Sequence, residues 1–193
     1  MRDYPASFIV PNTTSVPHRL VMLEDLVELG SKDPRVVDLA NRALRNNPAD
    51  PLSELLNALH QLVEFTPDCG DGTCEQFQRA EHTLFDRGKG DCDDMAVAYS
   101  AMARAIRFAS RVVWIDQPDK PNNHVASQAC APIRPASAIQ QNYAVMVHSN
   151  PSSPTCGASH GWTWIETTLP GAMVGEHPYT AAKRLGVIRD DIA

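Results

Sequence analysis

The sequence contains no stretch approaching the ~18 consecutive apolar residues that a membrane-spanning helix requires, so no membrane partner is expected. It contains no excess of basic residues either. The formal net charge is −6, which leaves no electrostatic footprint for nucleic acid or for an anionic membrane surface. The first 17 residues lack the positive stretch and apolar core of a secretory leader, which points to a cytoplasmic location on synthesis. No internal repeat is visible, so a stacked-repeat architecture is excluded. Cysteine is sparse and odd in number: Cys69, Cys74, Cys92, Cys130 and Cys156. An odd set leaves at least one thiol outside any disulfide, which suits Cys92. Cys69 and Cys74 bracket a short Gly/Asp loop that could be closed by a disulfide or be half of a metal site, but Cys130 and Cys156 supply no second close-spaced pair. The loop therefore reads as structural and no metal site is expected. In a reducing cytoplasm these would be thiols, and the sequence alone does not fix the oxidation state of Cys69 and Cys74.

What is present is ordinary for a globular chain: 193 residues, 43% hydrophobic and 21% charged, enough for one compact domain. Residues 1–17 are rich in Pro, Ser and Thr and read as an extended N-terminal arm, followed by a single domain over 18–193. Within it, 18–65 read as a helical layer and 66–193 as a core. Helices are expected over 18–29, over 34–45 with Asp33 before Pro34, and from Pro51 to about Phe65 on a wide leucine stripe. Residues 77–85 read as a short helical or mixed piece, and 178–185 as a last helix. Strands are expected over 111–115, from His124, over 143–148 and over 162–166. The stretch 130–161 is otherwise irregular and reads equally as a lid or docking surface or as a passive excursion.

The segment Gly90-Asp91-Cys92-Asp93-Asp94 carries the chemistry. Met95, Ala96, Tyr99, Met102, Ala103 and Ile106 continue it at helical spacing, Gly90 breaks what precedes, and Asp91 is a good N-cap. Cys92 then lies in a first helical turn, where backbone N–H groups lack intrahelical partners and the dipole is positive. A thiolate and the oxyanion of an attacked carbonyl both gain there. The three flanking aspartates oppose a further anion, so an imidazole is needed to activate the thiol. His124 supplies one, opening a strand after a Pro/Asn-rich turn. Glu166, at the end of the strand Trp162-Thr163-Trp164-Ile165, supplies a carboxylate to orient the ring if the two strands are neighbours.

These three motifs, Gly90-Asp91-Cys92-Asp93-Asp94, His124-Val125 and Trp162-Thr163-Trp164-Ile165-Glu166-Thr167-Thr168, resemble the transglutaminase-like branch of the papain-like cysteine fold. The likeness is to its small bacterial and bacteriophage members and spans roughly 52–185. It implies an α+β fold: a papain-like/transglutaminase-like core with a central Cys-bearing helix packed on an antiparallel sheet, beneath an N-terminal helical layer. It implies Cys92 as nucleophile, His124 as general base and Glu166 as orienting carboxylate, with Glu standing where most of the family has Asp. The implied chemistry is thiol attack on an amide or peptide carbonyl, resolved by water (protease, deamidase) or by an amine (transglutaminase). The implied partner is a protein or peptide substrate, and no cofactor is implied. The calcium dependence of the animal enzymes is not carried over, because no acidic loop of that form is present. The alternative is a non-catalytic interaction module, such as a phage virion or assembly component that contacts phage structural proteins. The corresponding location is the cytoplasm of a bacterial or phage-infected cell, with incorporation into a virion under the second reading.

Several other residues are candidates for supporting roles. Gln76 or Gln78 could donate a second oxyanion hydrogen bond, and Trp164, on one strand face with Trp162, reads as core or cleft wall. His82, His148, His160 and His177 rival His124 without its motif. Asp93 and Asp94 read as complements to the helix dipole or partners of arginines.

Overall fold

The computed structural model describes residues 4–68, 74–116, 124–132, 144–147, 155–157 and 159–187. Three helices come first: α1 (Val16–Gly30), α2 (Pro34–Asn46) and α3 (Pro51–Leu62). Each has proline in its first turn, where a missing N–H costs nothing. The Asp33 side chain accepts from the N–H groups of Arg35 and Val36, and Asp50 accepts from Ser53, so α2 and α3 start at carboxylate caps.

The centre of the molecule is α4 (Cys92–Ala105), buried on all sides from Asp93 to Ala103. A helix apolar all round belongs in the interior. Its alanines let neighbours come close. A Cβ on Gly30, the last residue of α1, would lie 2.5 Å from Ala80 Cβ and 3.1 Å from Ala101 Cβ, so only glycine fits at that approach. Glu24 of α1 ties three elements together. It pairs with Arg104 of α4 and accepts at 2.9 Å from the N–H of Val112 in β5 (Ser110–Asp116).

On the other side of α4 lies an antiparallel sheet in the order β7-β5-β6-β8, formed with β6 (His124–Pro132), β7 (Ala144–Val147) and β8 (His160–Ile165). Helical layer, central helix and antiparallel sheet together give the expected α+β architecture. The last helix, α5, runs Pro178–Leu185, as its sequence predicts. Among the described residues, no helix is long and apolar enough to cross a membrane.

One expectation gains detail and two are corrected. The 77–85 segment is mixed, as expected: β3 (Glu75–Gln78) is followed by a π-helical turn, His82–Arg87. Its partner is β1 (Ser7–Val10), inside the expected arm, with Phe8 opposite Phe77. Phe77 is fully buried, and this long-range pairing makes the start of the segment a strand. The third helix stops at Leu62, because Glu64–Phe65 (β2) pair in parallel with Lys89–Gly90 (β4). The cysteines are not all thiols: Cys130 and Cys156 form a disulfide, and Cys74 is disulfide-bonded as well. The 26-residue separation of Cys130 and Cys156 concealed that pairing, which the fold closes beside the β6–β8 ladder. Cys69, the Pro/Asn-rich turn at 117–122, His148 and most of 130–161 lie outside the described residues.

Candidate active site

β6 and β8 are adjacent and antiparallel, with Ser127 opposite Ile165. The next residue after Ile165 is Glu166, and by strand alternation it shares a face with His124 at the start of β6. Their side chains meet: His124 Nε2 lies 2.7 Å from Glu166 Oε2, with side-chain exposures of 1% and 0%. A carboxylate only accepts, so Nε2 carries the proton and Nδ1 is the ring nitrogen directed elsewhere. Glu166 Oε1 accepts from the Thr168 backbone N–H at 2.7 Å and from Thr168 Oγ1 at 2.6 Å. Both carboxylate oxygens are thus held. Burial pushes the Glu166 carboxyl up, but the charge and hydrogen bond of His124, with the two bonds from Thr168, outweigh it. The net shift is below the usual carboxylate range.

Cys92 is the first residue of α4, and the Asp91 side chain caps that turn by accepting from Asp93 N–H at 3.2 Å. Cys92 is partly buried and stands outside the disulfides. A serine ladder fastens its helix to the histidine's strand. Ser127 Oγ donates to the Ala96 carbonyl at 2.9 Å, and Ser100 Oγ donates to Ser127 Oγ at 3.1 Å. Ala96 is one turn from Cys92, and Ser127 is three residues from His124. The fold therefore brings His124 and Glu166 into contact and sets Cys92 at the start of the helix that packs on the histidine's strand.

Three further groups surround the pair. Thr168 anchors Glu166, and the signal for it is the threonine two residues after the carboxylate. His60 of α3 donates from Nε2 to the Thr167 carbonyl at 2.9 Å, holding the loop after β8 against the helical layer. Its pKa is lowered by burial, partly offset by that bond and by the charge of Glu166. His177 caps α5 by accepting from Tyr179 N–H at 3.3 Å, meets the Trp164 ring edge-on at 4.8 Å and stacks on Tyr179 at 5.4 Å. Burial, then the neighbouring charge of His124, lower its pKa to about 4, so it is neutral near pH 7.

Trp164 sits on β8 opposite Gln128, half-buried, against Val113, Ile115 and Ala126 on the His124 face of the sheet. The two glutamines are committed elsewhere. Gln78 is fully buried, and its side-chain amide donates to the Asp94 carboxylate and to the Lys89 carbonyl. Gln76 donates to Ser7 Oγ and accepts from Arg87 at 3.2 Å. These bonds give no support to an oxyanion role for either. Asp94 is also not an arginine partner but the acceptor for Gln78, from both its backbone N–H (2.8 Å) and its side chain. Gly90 makes room for it, since a Cβ there would fall 2.7 Å from Asp94 Cβ.

The family model described as the transglutaminase-like superfamily matches residues 38–167, a span that includes Cys92, His124 and Glu166. Neither curated proteins nor solved structures gave a match to this chain.

Proposed function

The chain belongs to the transglutaminase-like superfamily, and from that premise we propose that it carries out thiol-dependent acyl transfer or hydrolysis on an amide or peptide carbonyl, with Cys92, His124 and Glu166 as the working residues. The observation that carries this reading is the buried 2.7 Å contact between His124 and Glu166, made on the strand against which the Cys92 helix packs.

The Cys92 thiol passes its proton to His124 Nδ1, and the thiolate adds to the substrate carbonyl carbon. The carbonyl π electrons move to oxygen, and the resulting oxyanion is stabilised at the positive end of α4. Glu166 stabilises the imidazolium and keeps the ring in one tautomer. The oxyanion collapses, the C–N bond breaks, and the imidazolium protonates the departing amine. A thioester on Cys92 remains. Water or a second amine, deprotonated by His124, then attacks the thioester and restores the thiol. The substrate is a protein or peptide, and the acceptor decides between protease, deamidase and transglutaminase.

The test is to trap the thioester. The protein is incubated with a promiscuous peptide amide or activated ester, quenched in acid and mapped by mass spectrometry, with Cys92→Ala as the blank. Acylation confined to Cys92, and its turnover by water or added amine, is the expected result. A wild-type protein that is never acylated, or is acylated equally in the Cys92→Ala variant, would favour the non-catalytic interaction module.

A further inference from the structure

We propose that Arg111, Gln128 and Trp162 form a docking platform for an acidic stretch of a polypeptide, set apart from the reacting groups. The three stand on the sheet face that carries His124. Arg111 of β5 lies opposite Gln128 of β6, and Gln128 lies opposite Trp164 of β8. Trp162, two residues before Trp164, shares its face. The Arg111 guanidinium rests over the Trp162 ring, 4.1 Å from its centroid. Its Nε and Nη2 both donate to Gln128 Oε1, at 2.9 and 2.6 Å. Stack and hydrogen bonds hold the planar group in one orientation before any partner arrives.

The charge is held in place but not neutralised. A guanidinium has five N–H donors, and here two go to one neutral oxygen. Among the described residues, Gln128 is the hydrogen-bond partner of Arg111, and no carboxylate pairs with it. Burial lowers the Arg111 pKa. The opposing charge is that of Glu24, which already pairs with Arg104 and accepts from the Val112 N–H. A half-buried guanidinium without a counter-ion favours an anion, and a carboxylate matches its planar fork with two parallel bonds. Arg and Trp are also the residues that most often anchor a polypeptide partner. The sequence supplies a second, separate observation. Residues 120–165, which include β6, β7 and β8, hold no aspartate or glutamate, although the chain has 23 and a net charge of −6. They do hold Lys120 and Arg134. In an acidic protein, this stretch is the one from which an acidic partner is not repelled.

The Arg111–Gln128 rung lies four residues along the strands from the Ile115–His124 rung, about 14 Å at ~3.4 Å per residue. Trp164 and Tyr179, packed on Val113, Ile115 and Ala126, cover the sheet between them. A carboxylate on Arg111 therefore lies clear of His124 and Glu166, and it acts on affinity rather than on bond making. Joined to the reaction proposed above, on which this step alone rests, the acidic stretch belongs to the protein substrate and Arg111 sets its KM.

The binding test uses the full chain carrying Cys92→Ala, which cannot form a thioester. The probe is a rhodamine-labelled peptide of alternating Glu and Ser, and its counterpart has Gln for every Glu. Fluorescence anisotropy should show the Glu peptide binding at least tenfold more tightly than the Gln peptide. The difference should shrink as sodium chloride rises from about 50 to about 300 mM. Adding Arg111→Gln should bring the Glu peptide down to the level of the Gln peptide, and Trp162→Leu should weaken it severalfold. Arg111→Lys keeps the charge without the planar fork, so it should fall between, and it decides the matter if Arg111→Gln does not fold. Equal binding of the two peptides would overturn the proposal, as would undiminished binding of the Glu peptide by Arg111→Gln. So would displacement by sodium phosphate or a short oligonucleotide at the peptide's own concentration, since the surface would then select charge and not a polypeptide. Turnover is read separately, with Cys92 in place. Arg111→Gln should raise KM for Glu-bearing substrates at least tenfold and leave kcat within twofold; an unchanged KM would overturn the assignment to the substrate. Should no amide or ester be turned over at all, the proposed reaction fails while the anisotropy result still decides the docking platform.

Discussion

Glu166 holds His124 from the neighbouring strand at 2.7 Å, and Thr168 holds Glu166 in turn. The relay runs through side chains that are essentially inaccessible to solvent, so its geometry is set by packing before any substrate arrives. Glu166→Gln should keep the fold and both Thr168 contacts. It should lose the charge that stabilises the imidazolium, and an amide nitrogen turned to Nε2 would force the opposite tautomer. In comparable triads such an exchange costs roughly 10⁴-fold in kcat. Glu166→Asp should lose less, because the charge remains and only the reach shortens. Rates of Cys92 acylation by a common ester probe compare the three. A Gln variant equal to wild type would reduce Glu166 to a structural residue.

Thr168→Val tests the anchor alone. It removes the Oγ1 donor to Glu166 Oε1 and leaves the backbone donor in place. Removing one donor from a buried carboxylate should cost about 1–3 kcal/mol, read as a lower denaturant midpoint with an unchanged slope. Acylation should slow less than in Glu166→Gln, since the charge beside the imidazole survives.

The acid limb of stability carries a sign that can be worked out. His177 has its pKa lowered to about 4 by burial and by the charge of His124. The unfolded chain takes up that proton near pH 6.5, before the folded chain does. Stability from His177 is therefore fully present above about pH 6.5 and is lost as pH falls from there toward 4. Glu166 acts lower. Its depressed pKa makes its contribution full above the ordinary carboxyl value of 4.5 and lost as pH falls through the folded value. His177→Gln should flatten the upper part of the acid limb while leaving the lower part, in denaturation midpoints taken at half-unit pH steps. An unchanged slope between pH 4 and 6.5 would mean that His177 is solvated.

The parts of the fold that the sequence reveals are those with local causes. Asp33 before Pro34 and Asp50 before Pro51 mark helix starts through caps and a tolerated proline. Gly90 and Asp91 mark the start of α4, and Pro178 that of α5. The hidden parts depend on contacts between distant segments. The β1–β3 pairing converts 75–78 into a strand through residues near the N-terminus, and the disulfide joins Cys130 to Cys156 only because the sheet turns back on itself. The His124–Glu166 contact was legible because two motifs each ended or began a strand. Thr168 was visible as a letter without a role, and His177 only as a rival to His124.

The reactivity of Cys92 should depend on His124 more than on its place at the helix start. Asp91, Asp93 and Asp94 set three carboxyl groups within two residues of the sulfur, and those that are ionised oppose a thiolate. The helix dipole works in the other direction, but it is worth only about 0.3–1 kcal/mol at an ordinary terminus. The imidazole is then the main stabiliser of the anion, and in cysteine–histidine pairs it can lower a thiol pKa by several units. Iodoacetamide near neutral pH should label Cys92 ahead of any other cysteine, since Cys74, Cys130 and Cys156 are held in disulfides. In His124→Ala the labelling rate at pH 7 should fall at least tenfold, and its pH dependence should move up toward that of an ordinary thiol. Circular dichroism would confirm that the variant stays folded, because His124 is buried and its removal leaves Glu166 without its ring partner. Should that loss unfold the chain, His124→Gln keeps a polar partner for Glu166 and asks the same question. Equal labelling rates in wild type and in the folded variant would show that the thiolate is made without the imidazole, and the pairing of Cys92 with His124 would have to be abandoned.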